Sequence, residues 1–107
     1  MPPWLMLVLA IVAEVAATIA LRESDGFTRL WPSVIAIVGY GVAFYLVALV
    51  LRTIPVSVTY AIWSAVGTAI VAIVGMVALG EPAGALKVAS LVLIVVGVIG
   101  LNVAGAH

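Results

Sequence analysis

Four long apolar stretches alternate with short polar segments along this chain. The apolar stretches cover about residues 4–21, 32–51, 56–79 and 85–104. A helix needs about 20 mostly apolar residues to cross the hydrocarbon core of a bilayer. The segments between the stretches contain glycine, proline and charged residues, which end helices. The pattern predicts an all-α membrane protein with four transmembrane helices, forming one domain over residues 1–107.

The connections between the predicted helices are short, so sequential helices should be antiparallel neighbours. Pro2 and Pro3 suit the start of the first helix, and Pro32 suits the start of the second, because proline is favoured in the first turn. Four helices are too few to enclose a large aqueous cavity. We therefore expect an oligomer, and a dimer is the simplest closed choice.

Composition excludes several classes of protein. Of the 107 residues, 67% are hydrophobic and 7% are charged, whereas soluble domains average about 25% charged residues. A net charge of zero provides no basic surface for nucleic acid. The chain has no cysteine, and it shows no metal-ligand cluster, phosphate-binding loop or nucleophile–base pair. We expect no cofactor, no metal and no enzymatic activity.

One carboxylate, Glu14, interrupts the first apolar stretch near its middle. A charged side chain at that depth costs about 2.5–3.5 kcal/mol on insertion scales. Such an acid must face a protein interior or a water-filled cavity, or remain protonated. We therefore predict that Glu14 lines a cavity that binds protons and cations.

Small residues share the helix face of Glu14. Ala10, Ala17 and Thr18 lie four residues before, three after and four after it. They either leave space for a bulky ligand beside the carboxylate or allow close helix packing, and both interpretations stay open.

Aromatic residues lie inside two other helices. Tyr40 and Phe44 are one turn apart in the second helix, and Tyr60 and Trp63 share a stripe of the third, next to Ser64. Such stripes are often plain packing. Beside a carboxylate, however, phenol and indole rings can bind a hydrophobic cation through cation–π contacts. We therefore treat all five residues as candidate substrate-binding positions.

The fourth helix carries Ser90 and Gly97 seven residues apart on one face. Small residues at this spacing let two helices approach closely. We interpret this face as the dimer contact, with packing inside one protomer as the alternative. Positive charges divide three to two between the sides of the membrane, with Arg52 and the N-terminal amine on the side that has two. This is a weak orientation signal, and the chain could insert either way round.

Several motifs together resemble the small multidrug resistance family of proton-coupled exporters, and the resemblance covers the whole chain. They are Ala13-Glu14-Val15, Gly26-Phe27-Thr28-Arg29-Leu30-Trp31-Pro32-Ser33, Tyr60-Ala61-Ile62-Trp63-Ser64 and Gly97. The resemblance implies a multi-pass protein of the bacterial inner membrane, assembled as an antiparallel, dual-topology homodimer. Both copies of Glu14 would bind protons and substrate in competition, Tyr40, Tyr60 and Trp63 would contact the substrate, and the fourth helices would form the dimer contact.

The family has a multidrug branch and a guanidinium-exporting branch. Ala17, Tyr40, Ala43 and Asn102 resemble the multidrug branch, whereas the loop residues Glu81-Pro82 resemble the guanidinium branch. Ser90 departs from the family's dimer motif, where many members have glycine. The expected function is a proton-coupled antiporter that exports hydrophobic, aromatic or quaternary ammonium cations. The alternatives are a guanidinium/proton exporter that uses the same Glu14, and a membrane pairing subunit that transports nothing.

Overall fold

Residues 1–105, which the computed structural model describes, form four α-helices and no strand. The helices are α1 (Pro3–Glu23), α2 (Leu30–Val50), α3 (Val56–Ala78) and α4 (Ala85–Gly105). Each is long and apolar enough to cross a membrane. The predicted all-α membrane fold is therefore confirmed. Residues 106 and 107 of the predicted domain lie outside the described part of the chain.

The helix starts follow the prolines, with one difference. Pro3 is the first residue of α1, as expected, but α2 begins at Leu30, two residues before Pro32. The first turn tolerates proline because its amides have no partner within the helix. The amide of Ser33 makes the first α2 bond, to the carbonyl of Arg29 at 3.2 Å. The sequence therefore placed this helix correctly and its first residue two positions late.

The helices pair within two compact units. One unit holds α1 and α2 and ends at Ile54, and the other begins at Pro55 and holds α3 and α4. That all four helices form a single domain stays a prediction.

The α1–α2 pair is closest at Ala17 and Gly39. A Cβ atom placed on Gly39 would lie only 2.8 Å from the Ala17 Cβ. Ala10, Ala36 and Ala43, which lie at helical spacings from these two residues, are 0–1% exposed. Alanine and glycine allow such an approach because their side chains are the smallest and so let the two backbones come close together.

A tight loop joins α1 to α2. The Ser24 hydroxyl donates to the Leu21 carbonyl at 2.6 Å and accepts from the Phe27 amide at 3.1 Å. Three successive residues, Asp25, Gly26 and Phe27, have φ values of 49°, 68° and 67°. Only glycine adopts this region at no steric cost. The hydrogen bonds of Ser24 therefore help to keep Asp25 and Phe27 in this conformation.

The α3–α4 loop folds back on the end of α3. The Glu81 amide donates to the Gly75 carbonyl at 2.9 Å, and the Glu81 carboxylate occupies the space that a Cβ on Gly75 would need. Lys87 lies 3.8 Å from that carboxylate and donates to the Pro82 carbonyl at 3.0 Å. Glu81 thus lies in the loop, and Lys87 lies in the first turn of α4.

Helix α4 is mostly exposed over residues 85–104, with Leu91, Ile94 and Val98 half-buried. No residue from 85 to 104 is buried, and Leu86, Leu93 and Val103 are 82%, 71% and 67% exposed. An apolar surface of this extent requires lipid or another protein chain around it.

Gly80 provides a test of the loop backbone. Its φ is +74°, and a Cβ there would meet no atom within 4 Å. We expect Gly80→Ala to lower the free energy of unfolding by about 1–2 kcal/mol, the cost of a left-handed conformation for an L-residue. Denaturant titration in detergent micelles measures it. Gly84→Ala, in the same loop but without a positive φ, is the matched control, and equal effects of the two changes would contradict the explanation.

Candidate functional site

Glu14 lies near the middle of α1, at the depth that the sequence predicted. Its Oε2 atom is buried and has no hydrogen-bond partner among the described residues. The ion pairs of that part of the chain, Arg22–Glu23 and Lys87–Glu81, are at helix ends and in loops. A carboxylate oxygen that is buried with neither a donor nor a counter-ion beside it makes the charged form costly.

A short chain of hydroxyl groups joins Glu14 to α2. The Thr18 hydroxyl donates to Glu14 Oε1 at 3.3 Å and lies 2.7 Å from the Tyr40 hydroxyl. A hydroxyl has one proton to donate. When Thr18 donates to Glu14, Tyr40 must therefore be the donor to Thr18, and the two helices act together on one carboxylate oxygen.

An aromatic pair extends this group along α2. The Tyr40 and Phe44 rings stack with centroids 6.4 Å apart and an interplanar angle of 25°. Phe44 is 57% exposed. Within the first unit, the structure thus places Glu14, Thr18 and Tyr40 in one contiguous group that Phe44 extends.

Ala10 and Ala17 share the helix face of Glu14 but are fully buried. Ala17 faces Gly39 across the α1–α2 contact. A ligand could touch the Ala17 methyl group only if the two helices separated. The close-packing interpretation of these alanines is therefore the one seen in this structure, and their contact with substrate stays a prediction.

The second unit holds the other aromatic candidates. Tyr60 and Trp63 lie with ring centroids 6.1 Å apart at 74°, an edge-to-face contact. Tyr60 is 63% exposed, and Trp63 is partly buried. The Ser64 hydroxyl donates to the Tyr60 carbonyl at 2.7 Å, so its proton is used in a hydrogen bond within α3. The substrate-binding roles of all three stay predictions.

Both predicted dimer-contact residues are exposed on α4. The Ser90 hydroxyl donates to the Leu86 carbonyl at 2.7 Å, which satisfies its proton within the helix. A Cβ on Gly97 would meet nothing within 4 Å. This face therefore has room for a second helix to approach closely, and its role as the dimer contact stays a prediction.

Sequence reasoning missed Gly39, although it lies next to Tyr40. A glycine inside a helix is a weak signal, because glycine is frequent in membrane helices. The one signal in the sequence is that Gly39 lies at helical spacing from Ala36 and Ala43, so that the three residues form a face of small residues on α2.

Comparison with known proteins defines the class of this four-helix membrane protein. A family model described as "Small Multidrug Resistance protein" matches residues 2–94. The chain therefore belongs to the small multidrug resistance family, and it is a membrane transporter rather than an enzyme.

Several curated relatives cover nearly the whole chain. "Multidrug resistance protein Mmr" of Mycobacterium tuberculosis is 51% identical over 105 residues, which are 97% of this chain and 98% of the relative. "Quaternary ammonium compound-resistance protein QacE" of Escherichia coli is 48% identical over 110 residues and covers all of both chains. With four spanning helices and such bacterial relatives, the chain is a multi-pass protein of the bacterial inner membrane.

Proposed function

We propose that this protein is a proton-coupled antiporter that exports hydrophobic, aromatic or quaternary ammonium cations. The buried, unpartnered oxygen of Glu14 carries the proposal. An ionised carboxylate in that place lacks a counter-ion among the described residues, so a proton or a lipophilic cation supplies the missing charge. Since one carboxylate cannot hold both, entry of one releases the other.

Competition for Glu14 couples the two fluxes. When the site faces the outside, a proton displaces the cation, and when it faces the inside, a cation displaces the proton. Net inward proton movement then drives outward cation movement without any covalent chemistry. The names of the relatives, which refer to multidrug and quaternary ammonium resistance, favour lipophilic cations over guanidinium as the substrate.

We further propose that Tyr40, Phe44, Tyr60 and Trp63 bind the same substrate. Their rings form two pairs, one stacked and one edge-to-face. Aromatic faces attract quaternary ammonium groups through their quadrupole, and they stack with flat aromatic cations. A site of this kind selects for charge and apolar surface rather than for one shape.

The assembly that we propose is an antiparallel homodimer in which α4 of one protomer packs on α4 of its partner. The exposed apolar surface of α4 supports a helix partner there. The nearly even division of basic residues between the two sides is compatible with insertion in both orientations. Each dimer would then hold two copies of Glu14, whose protons are shared between coupled sites.

Glu14→Gln tests the mechanism. We expect this variant to lose binding and proton-driven efflux of tetraphenylphosphonium, because the amide is neutral and takes up no proton. In the unchanged protein the affinity should fall with falling pH, by up to about tenfold per pH unit for each proton displaced. Equilibrium binding to purified protein and efflux from proteoliposomes measure these effects.

Glu81→Gln is the control for the loss of a carboxylate, because Glu81 lies in a loop and is about half exposed. It should bind and transport as the unchanged protein does. Proton-driven efflux that survives in Glu14→Gln would refute the mechanism. Transport of guanidinium without tetraphenylphosphonium would favour the guanidinium alternative, and no substrate-induced proton release would favour a pairing subunit.

Trp63→Ala tests the aromatic contribution. We expect the affinity for tetraphenylphosphonium to fall by about two- to tenfold, the value of one aromatic contact. The affinity for tetrapropylammonium, which has no ring to stack, should fall less. Trp31→Ala removes an exposed tryptophan at the start of α2 and serves as the control. Equal losses for both cations would argue against stacking.

Gly97→Leu tests the dimer contact. We expect the dimer to dissociate about tenfold more readily, equivalent to about 1.4 kcal/mol, because leucine would hold the α4 helices apart. Energy transfer between labelled protomers in detergent measures the dissociation. Gly41→Leu is matched, since a Cβ there also meets nothing within 4 Å. A dimer that weakens equally in both variants would contradict the role of Gly97.

A further inference from the structure

Gly39 lies where α1 and α2 come closest, and its chain neighbour Tyr40 makes the hydrogen bond that reaches the site. A Cβ on Gly39 would lie 2.8 Å from the Ala17 Cβ and 3.3 Å from the Ala13 carbonyl oxygen. A methyl group on Ala17 has no side-chain torsion that could move it away. Any side chain at position 39 therefore requires the two helices to shift.

The same shift would act on the Thr18–Tyr40 hydrogen bond. Thr18 follows Ala17, and Tyr40 follows Gly39, so the polar contact and the close contact are adjacent. Ordinary contact begins at 3.4 Å, so the Cβ would need about 0.6 Å more than the 2.8 Å available. The hydroxyl oxygens are 2.7 Å apart, and a separation larger by that amount would turn this short bond into a weak one, as long as the 3.3 Å contact from Thr18 to Glu14.

We propose that Gly39 is a positioning residue for the Glu14 site. Its missing side chain lets Tyr40 reach Thr18, and a Tyr40 hydroxyl that donates to Thr18 directs the single Thr18 proton at Glu14 Oε1. The carboxyl group is thereby held in one orientation for the incoming cation. The proposal deepens the proposed function and rests on it, because it concerns the same carboxylate.

Gly75 and Gly41 show how the position of Gly39 differs from that of two other glycines in the described part of the chain. Gly75 also lacks room for a Cβ, but its neighbour is the carboxylate end of Glu81, a flexible side chain that can swing away. Gly41, two residues beyond Gly39 on the same helix, faces open space. The constraint at Gly39 is different because the atoms that face it are backbone atoms of α1 and the Ala17 methyl group. None of these atoms can rotate away.

Gly39→Ala in the full-length protein, compared with Gly41→Ala, tests the proposal. We expect Gly39→Ala to weaken tetraphenylphosphonium binding by about three- to tenfold, the value of one hydrogen bond. Gly41→Ala should stay within about twofold, the usual scatter of independent changes. The carbon-13 signal of the Tyr40 ring carbon that bears the hydroxyl, identified with Tyr40→Phe, should move only in Gly39→Ala.

Two backgrounds separate positioning from general damage. In the Ala17→Gly background the 2.8 Å contact is absent and the remaining approach to the Ala13 carbonyl oxygen is 3.3 Å, so adding Gly39→Ala should cost no more than about twofold. In the Tyr40→Phe background there is no hydroxyl to misplace, and adding Gly39→Ala should again cost no more than about twofold. If Gly39→Ala alone does not fold, we expect the Ala17→Gly background to restore folding with an unmoved Tyr40 signal, and a double variant that stays unfolded overturns the proposal.

The outcomes distinguish this proposal from the proposed function. A Gly39→Ala protein that binds like Gly41→Ala, or whose loss persists undiminished in the Tyr40→Phe background, overturns the positioning role. An unchanged Tyr40 signal in Gly39→Ala overturns it independently of any binding measurement. Cation binding that survives in Glu14→Gln instead overturns the proposed function, and the Tyr40 signal then still reports whether Gly39 holds the hydroxyl against Thr18.

Discussion

The cost of an ionised carboxylate in hydrocarbon is the constraint on which this structure depends. Glu14 has one oxygen that accepts from Thr18 and one that is buried without a donor among the described residues. A fully satisfied carboxylate would be stable and inert, because each donor would favour one charge state permanently. Under the mechanism that we propose, the unsatisfied oxygen keeps the group responsive to an arriving proton or cation. The Thr18 and Tyr40 hydroxyls join the other oxygen to α2.

Small residues pack closely in the first helix pair, next to the hydroxyl groups that reach the carboxylate. Ala17 and Gly39 bring the backbones together, and the neighbouring residues Thr18 and Tyr40 then reach each other at 2.7 Å. Apolar attraction between helices is weak in a bilayer, since lipid tails are as apolar as the side chains. Shape and hydrogen bonding must therefore supply the specificity, and here both occur within one turn of each helix.

The sequence predicted the four helices well, and it identified Glu14 as the charge inside an apolar stretch. Both signals are simple patterns in the sequence and do not depend on which helices touch. Twenty apolar residues identify a span, and one charge within them identifies a site. Local conformation was harder to predict. Asp25 and Phe27 have positive φ values, although only Gly26 between them is a residue type that favours positive φ. Hydrogen bonds of the Ser24 hydroxyl stabilise this loop, and the residue types alone do not reveal them. Gly39 was missed for a similar reason, since its importance lies in what faces it on another helix.

The exposure of α4 has a consequence for how this chain tolerates change. None of residues 85–104 is buried, although Leu91, Ile94 and Val98 are half-buried, so exchanging one aliphatic side chain for another at the exposed positions of α4 removes little contact within the protomer. Sequence drift in this helix is then limited only by hydrophobicity and by whatever molecule covers the helix. The first helix pair tolerates less change, because a single methyl group added at Gly39 would force α1 and α2 to shift. Mutational tolerance along this short chain is therefore set by the neighbours of each helix rather than by helix composition, which is nearly uniform.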